Sequence, residues 1–197
     1  MSVAAYFPAF LDLRGRHCLV VGGGPVAERK ARVLLECGAE VLVVSPVVTG
    51  PLAALAARGR LIHRPRAFRR HDVAGCRVVI AATGRAAVDR DVVRIARGRG
   101  ALVNAVDRPA LCDFIVPSVL TRGPLKIAVS TGGRSPALAR EIRRRLEGVI
   151  GPEYGELVER VGRRRAAARA RAGSDRERLA AGEWVVADAL RRFNGVS

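Results

Sequence analysis

LVVGGGPVAERKARVLLECGAEVLVVSP, Leu19 to Pro46, decides the fold, because its periodicity changes twice within one short span. The run Arg16–Val21 is apolar enough for a strand buried on both faces. Pro25 to Cys37 carries Val26, Val33, Leu34 and Cys37 at helical spacing, and Gly38 stands where a helix C-cap glycine belongs. Glu40 to Ser45 is a second strand. Between the first strand and the helix, Gly22, Gly23, Gly24, Pro25, Val26 and Ala27 fit GxGxxA. In that pattern Gly22 permits the tight turn, Gly24 lets a pyrophosphate approach the backbone, and Ala27 lets helix and strand pack closely. The free N–H groups and dipole of the helix then favour the phosphates of a dinucleotide. The acid that usually grips the adenosine ribose is missing from the end of the second strand. Ser45, Pro46 and Val47 stand there, so the ribose falls to the Ser45 hydroxyl or to backbone groups. No basic residue follows at once, and these residues leave NAD and NADP both open.

Beyond this unit, strands and helices continue to alternate. Helix Pro51–Arg58 precedes strand Arg60–Arg64, strand Arg77–Ala82, helix Ala87–Arg97 and strand Ala101–Ala105. Such alternation predicts an α/β parallel sheet with helices on both faces. The pattern changes after Asp107. Phe114–Leu120 and Leu125–Ser130 flank TRGP and predict an antiparallel pair. Ser135 and Pro136 then open a helix whose buried face is expected to hold Leu138, Ile142, Leu146 and Val149. Gly151-Pro152 ends it, and two further helices join near 172–175. Three regions are therefore expected: 1–112, 113–150 and 151–197.

The 197 residues are 49% apolar, enough to build a core. No apolar run reaches the ~18–20 residues of a membrane helix, and the N-terminus lacks a signal-peptide pattern. A cytoplasmic protein with no membrane partner is the expectation. The cysteines Cys18, Cys37, Cys76 and Cys112 are scattered, with no metal-ligand spacing, so no metal site is expected and Cys18 and Cys37 read as small buried hydrophobes. The net charge is +17, and of 35 basic residues only Lys30 and Lys126 are lysines. That excess suits a polyanionic partner. Nucleic acid is disfavoured, since the basic stretches offer almost no aromatic side chains for base stacking.

Three further segments carry chemistry. AATGR, Ala81–Arg85, places small residues at a strand's carboxyl end, where Thr83 either borders a cofactor or caps the next helix. NAVDRP, Asn104–Pro109, puts Asp107 at the edge where the ligand crevice of such sheets opens. There a carboxylate can take a proton as hydride leaves, or simply stabilise a turn. VSTGGRSPALAR, Val129–Arg140, offers Ser130, Thr131, Gly132, Gly133, Arg134, Ser135 and Arg140 as a second anion site at a helix N-terminus.

Taken together, FPAFLDLRGRHCLVVGGGPVAERKARVLLECGA (7–39), VIAATG (79–84), VNAVDRPALCDFIVPS (103–118) and PLKIAVSTGGRSPALAREIRRRLE (124–147) resemble the precorrin-2 dehydrogenase family, the N-terminal half of siroheme synthase, in its stand-alone form. The resemblance implies a Rossmann domain, a dimerisation region, a helical C-terminal part and a homodimer. It implies NAD as cofactor and oxidation of the polycarboxylate tetrapyrrole precorrin-2 to sirohydrochlorin. Asp107 matches the family's acid/base aspartate. Some members also insert Fe2+ into sirohydrochlorin, so Fe2+ is a candidate second substrate. Eight carboxylates on the macrocycle would account for the arginine excess, with part of the Arg134–Arg145 group holding them. Two other readings compete: a regulatory module that senses NAD(H) without turnover, and a nucleic-acid binder using Arg143–Arg145 and Arg163–Arg165.

Overall fold

The computed structural model describes residues 6–194 and divides between Val116 and Pro117 into two compact units. The first holds β1 (His17–Val21), α1 (Pro25–Glu36), β2 (Glu40–Val44), α2 (Gly50–Ala57), β3 (Ile62–Arg64), β4 (Val78–Ala81), α3 (Ala86–Arg97) and β5 (Leu102–Ala105). All five strands run parallel in the order β3-β2-β1-β4-β5. The expected α/β architecture is what forms.

Alternation along each strand divides the core. Cys18, Val20, Val43, Val78 and Ile80 meet Ala27, Ala31 and Leu34 of α1 and Leu52 of α2. Leu19, Val21, Val79, Ala81 and Val103 meet Val92, Val93 and Ala96 of α3 on the other side. Each of the valine, leucine and isoleucine side chains among them, removed from water, contributes about 1.5–3 kcal/mol before entropy is counted. Small residues at Ala27 and Ala31 bring α1 close to the sheet, which sets the glycine turn against the carboxyl ends of the strands.

Chain order reverses between β1 and β4. β1 passes through α1 to β2 and β3 on one side, while β4 and β5 lie on the other. The turns after β1 and β4 diverge there and open a crevice. Two expectations fail in this unit. Cys37 is exposed, because it is the C-cap beyond the Ala27–Ala31–Leu34 stripe that faces the sheet. Phe114–Pro117 is not strand. Phe114 packs on the first core, and its carbonyl accepts from Asn104 Nδ2 at 2.9 Å.

The second unit holds the antiparallel pair β6 (Ser118–Arg122) and β7 (Leu125–Val129), then α4 (Pro136–Val149), α5 (Glu153–Arg171) and α6 (Asp175–Asn194). Arg164 and Arg192 both donate to Asp188 at 2.8 and 3.1 Å, which joins α5 to α6 and holds the Asp188 carboxyl below its ordinary range. The face expected to be buried on α4 is not buried in the single chain. Leu138 is 51% exposed and Val149 72%, and Ala139 is the helix's buried residue. The apolar stripe exists, with Leu146 partly buried and Leu138, Ile142 and Val149 exposed. Among the described residues, no helix is long and apolar enough to cross a membrane.

Candidate functional site

The carboxyl edge of the sheet forms a cleft of about 730 Å³ lined from every turn that ends there. Gly22 to Val26, Ser45 to Val47, Arg66 to Phe68, Ala82 to Arg85, Asp89 and Val106 to Arg108 all border it. Of the cofactor residues expected from sequence, only Ala27 stays out of the lining, fully buried against the sheet.

The three glycines do different work. Gly22 has φ +129°, and a Cβ there would fall 2.2 Å from the Ala82 carbonyl oxygen. Gly23 presses on the β2 side, where a Cβ would meet the Val47 oxygen at 1.9 Å. Gly24 has an ordinary φ of −80°, and a Cβ at that position meets nothing within 4 Å. The protein itself gives no reason for a glycine at 24. The turn leaves a bare approach to the first turn of α1, where N–H groups without intrahelical partners favour anions. These residues fit a dinucleotide. Glu28, the acid in that first turn, faces away: it accepts from Thr49 Oγ1 at 2.7 Å and pairs with Arg32, which together lower its pKa.

At the β2 end, the Ser45 hydroxyl donates to the Val47 carbonyl at 2.7 Å. Its proton is committed to the loop, and only its lone pairs remain for a ligand. Arg66 reaches the cleft from the segment after β3, which the sequence did not suggest. It is held by Asp72, whose carboxylate is fully shielded and also takes Arg64. Burial alone would raise the Asp72 pKa, but hydrogen bonds from Arg66 and the Arg69 N–H overcome that and hold it low.

Asp107 stands at the far end of the cleft, after β5. Its φ of +58° is the only positive value at a non-glycine among the described residues. Aspartate tolerates the left-handed region better than most residues, but the backbone there is still strained. The turn is closed by Arg108 N–H to the Ala105 oxygen at 3.2 Å. The segment that follows is clamped back along β5: Asp113 accepts from Val103 N–H at 2.9 Å and from Arg97 at 2.8 Å. Lys30, on α1, is half-buried, and burial together with Arg29 lowers its pKa while Asp107 opposes that shift. Sequence spacing had not singled out Lys30, although it is one of only two lysines in an arginine-rich chain.

Thr83 is less a free cofactor contact than a brace. Its hydroxyl donates to Asp89 Oδ1 at 2.7 Å and accepts from Arg85 N–H at 3.1 Å. The N-cap of α3 is Arg85, not Thr83. Asp89 is 2% exposed and was missed from sequence, where it reads as one more polar residue of a helix.

The other expected group lies in the second unit. Thr131 exchanges hydrogen bonds with Ser135 at 3.0 Å, Ser130 Oγ accepts from Gly132 N–H, and Ser135 caps α4 by accepting from Leu138 N–H. These hydroxyls shape the loop around Gly132 and Gly133, both at positive φ. Arg143 pairs with Glu147, and Arg144 and Arg145 share Glu141. Arg134 and Arg140 are exposed, and neither pairs with a carboxylate among the described residues. No His, Cys, Asp or Glu cluster that could hold a metal occurs among those residues.

Comparison with known proteins places this geometry. Residues 9–118 match the family model described as "Putative NAD(P)-binding", and residues 122–148 match "Sirohaem biosynthesis protein central". The siroheme synthase of Thioalkalivibrio sulfidiphilus is 49% identical over 153 residues, which are 78% of this chain and 31% of the relative. That of Chromobacterium violaceum is 46% identical over 188 residues, 95% of this chain and 37% of the relative. The chain thus spans about a third of the length of these relatives. A solved structure titled "SirC, precorrin-2 dehydrogenase" superposes with a TM-score of 0.73 at 26% identity, covering 94% of this chain and all of that one. With both models matched in chain order, the chain belongs to the NAD(P)-binding family represented in siroheme synthases and in precorrin-2 dehydrogenase.

Proposed function

We propose that this protein oxidises precorrin-2 to sirohydrochlorin with NAD+. The observation that carries the reading is Asp107, held in a left-handed turn on the cleft that the glycine turn opens. When bound, NAD+ accepts a hydride; one hydride and one proton leave the macrocycle, giving sirohydrochlorin, NADH and H+. The chain's part is to place and to accept. Gly22–Val26 and the first turn of α1 hold the pyrophosphate, and the Ser45–Val47 segment borders the adenosine side through its backbone. Asp107 takes the proton at its carboxylate as general base. Its clamped loop keeps that carboxylate at the carboxyl edge.

In the second unit, Arg134 in the 130–135 loop and Arg140 just beyond it stand without an ion-pair partner among the described residues and suit a polycarboxylate. Leu138, Ile142, Val149 and Val119 form exposed apolar surface of the kind a second copy would cover, which supports a homodimer. The experiment is an anaerobic assay of precorrin-2 with NAD+, following NADH and sirohydrochlorin by absorbance. Stoichiometric formation of both is expected. NAD+ binding without either product would instead favour a sensor of NAD(H). An added Fe2+ arm reads whether siroheme follows, and so whether Fe2+ is a second substrate.

A further inference from the structure

We propose that Asp89 is a positioning residue for the reaction, and that its task is to hold Arg108 away from Asp107. This deepens the function proposed above and rests on it. Asp89 sits one turn into α3 and is 2% exposed. A carboxylate taken from water at such depth is costly unless several donors answer it. They do. Oδ1 accepts from Thr83 N–H at 3.2 Å and from Thr83 Oγ1 at 2.7 Å, and Oδ2 lies 3.8 Å from Arg108 Nε. Thr83 ends β4, while Arg108 follows directly on Asp107 after β5. One buried carboxylate on the intervening helix therefore ties together the carboxyl ends of two neighbouring strands, and all three residues border the cleft.

The chemical consequence concerns the guanidinium. Arg108 is chain neighbour to Asp107, and its side chain is only a third exposed. With Asp89 ionised, the guanidinium has a partner inside the fold. Without that charge, its chain neighbour Asp107, on the same cleft, becomes the competing carboxylate. An ion pair there would make Asp107 a weaker proton acceptor and would pull its side chain from the position that its strained turn sets. Asp89 touches neither reacting atoms nor a bound substrate in this account; it acts through Thr83 and Arg108.

Asp89→Asn separates this role from plain fold support. The amide oxygen still accepts both Thr83 hydrogen bonds, whereas the amide nitrogen repels rather than pairs with Arg108. The variant is expected to fold and to bind NAD+ within about threefold of wild type by calorimetry, while kcat falls by about tenfold or more. Adding Arg108→Gln removes the stray guanidinium, so Asp89→Asn/Arg108→Gln is expected to turn over faster than Asp89→Asn alone. A purely structural residue would show the reverse, with the double variant worse. Wild-type kcat in Asp89→Asn, or a double variant no faster than the single, overturns the proposal. Absence of NADH formation by the wild-type protein overturns the parent reading instead.

Discussion

Gly23 and Val47 leave no room between them: a Cβ on residue 23 would lie 1.9 Å from the Val47 carbonyl oxygen and 2.8 Å from Ser45 Oγ. The turn after β1 and the loop after β2 are thus pressed together, and Thr49 N–H donates to the Gly23 oxygen at 2.9 Å across the same seam. Gly24, one residue on, borders open space. The two glycines should fail differently. Gly23→Ala is expected to destabilise the fold by about 3 kcal/mol, since backbone must move to admit the methyl group. Gly24→Ala is expected to melt like wild type but to bind NAD+ about tenfold more weakly, a loss of ~1.4 kcal/mol. Thermal melts paired with calorimetric NAD+ titrations check both; equal stability loss in the two variants would contradict this division of labour.

Asp107 is expected to trade stability for chemistry. Asp107→Ala and Asp107→Gly should both lose NADH formation while retaining NAD+ binding. Their stabilities should part: alanine adopts φ near +58° less readily than glycine, and is expected to cost about 1 kcal/mol relative to it. A chemical-denaturation series on the two variants reads the difference, and near-normal turnover in either removes Asp107 from its role.

The contrast between these residues and Asp72 or Asp89 shows what sequence can carry. The glycine turn was legible because its chemistry is local: strand, turn and helix signals lie within a few residues, and the physical reasons for each glycine type are general. The sheet followed from the alternation of periods. Asp107 was legible from its place at a strand end, but its left-handed backbone was not, because nothing in NAVDRP demands it. Asp89 and Thr83 are six residues apart, yet their partner Arg108 comes from another strand end. Arg66 reaches the cleft only because β3 pairs beside β2. Such juxtapositions depend on strand order, which local patterning leaves open. The stripe on α4 is apolar but largely exposed in the single chain, since periodicity identifies a face without saying what covers it.

Asp72 makes a pH prediction. Its folded-state pKa lies below the ordinary carboxylate value, so its ionised form adds stability that is fully present above that value, about 4. The contribution is lost as pH falls through the lower, folded value. Asp72→Asn should therefore melt below wild type at neutral pH, by about 1–3 kcal/mol, because Arg66 and Arg64 lose a charged acceptor. The two melting curves should converge as the pH drops below about 4. A gap that is unchanged in strong acid would assign the stability to something other than that ionisation.

The uncovered stripe on α4 can be tested by assembly. Leu138 and Val149 are 51% and 72% exposed, so charge at either site costs the single chain little. Leu138→Glu/Val149→Glu is expected to remain folded by circular dichroism and to sediment as a monomer, with the wild-type protein sedimenting as a dimer. A wild-type monomer at micromolar concentration would remove the homodimer from the proposal.

Substrate recognition is the last expectation, and pairing within α4 decides which arginines to test. Arg144 and Arg145 already share Glu141, and Arg143 already holds Glu147, so their charges are answered within the helix. Arg134 and Arg140 have no such partner among the described residues, and the loop at 130–135 is shaped by its own hydroxyl bonds. A carboxylated macrocycle should therefore draw on Arg134 and Arg140. Arg134→Ala and Arg140→Ala are each expected to raise KM for precorrin-2 by about tenfold at low ionic strength with little change in kcat. The effect should shrink as salt screens the wild-type attraction over a Debye length of about 10 Å at 0.1 M. Arg144→Ala, which leaves Glu141 with Arg145, should change KM far less. Steady-state kinetics of the three variants across a salt series settles the order; equal KM effects at all three positions would mean that bulk charge, not these two free guanidinium groups, attracts the substrate.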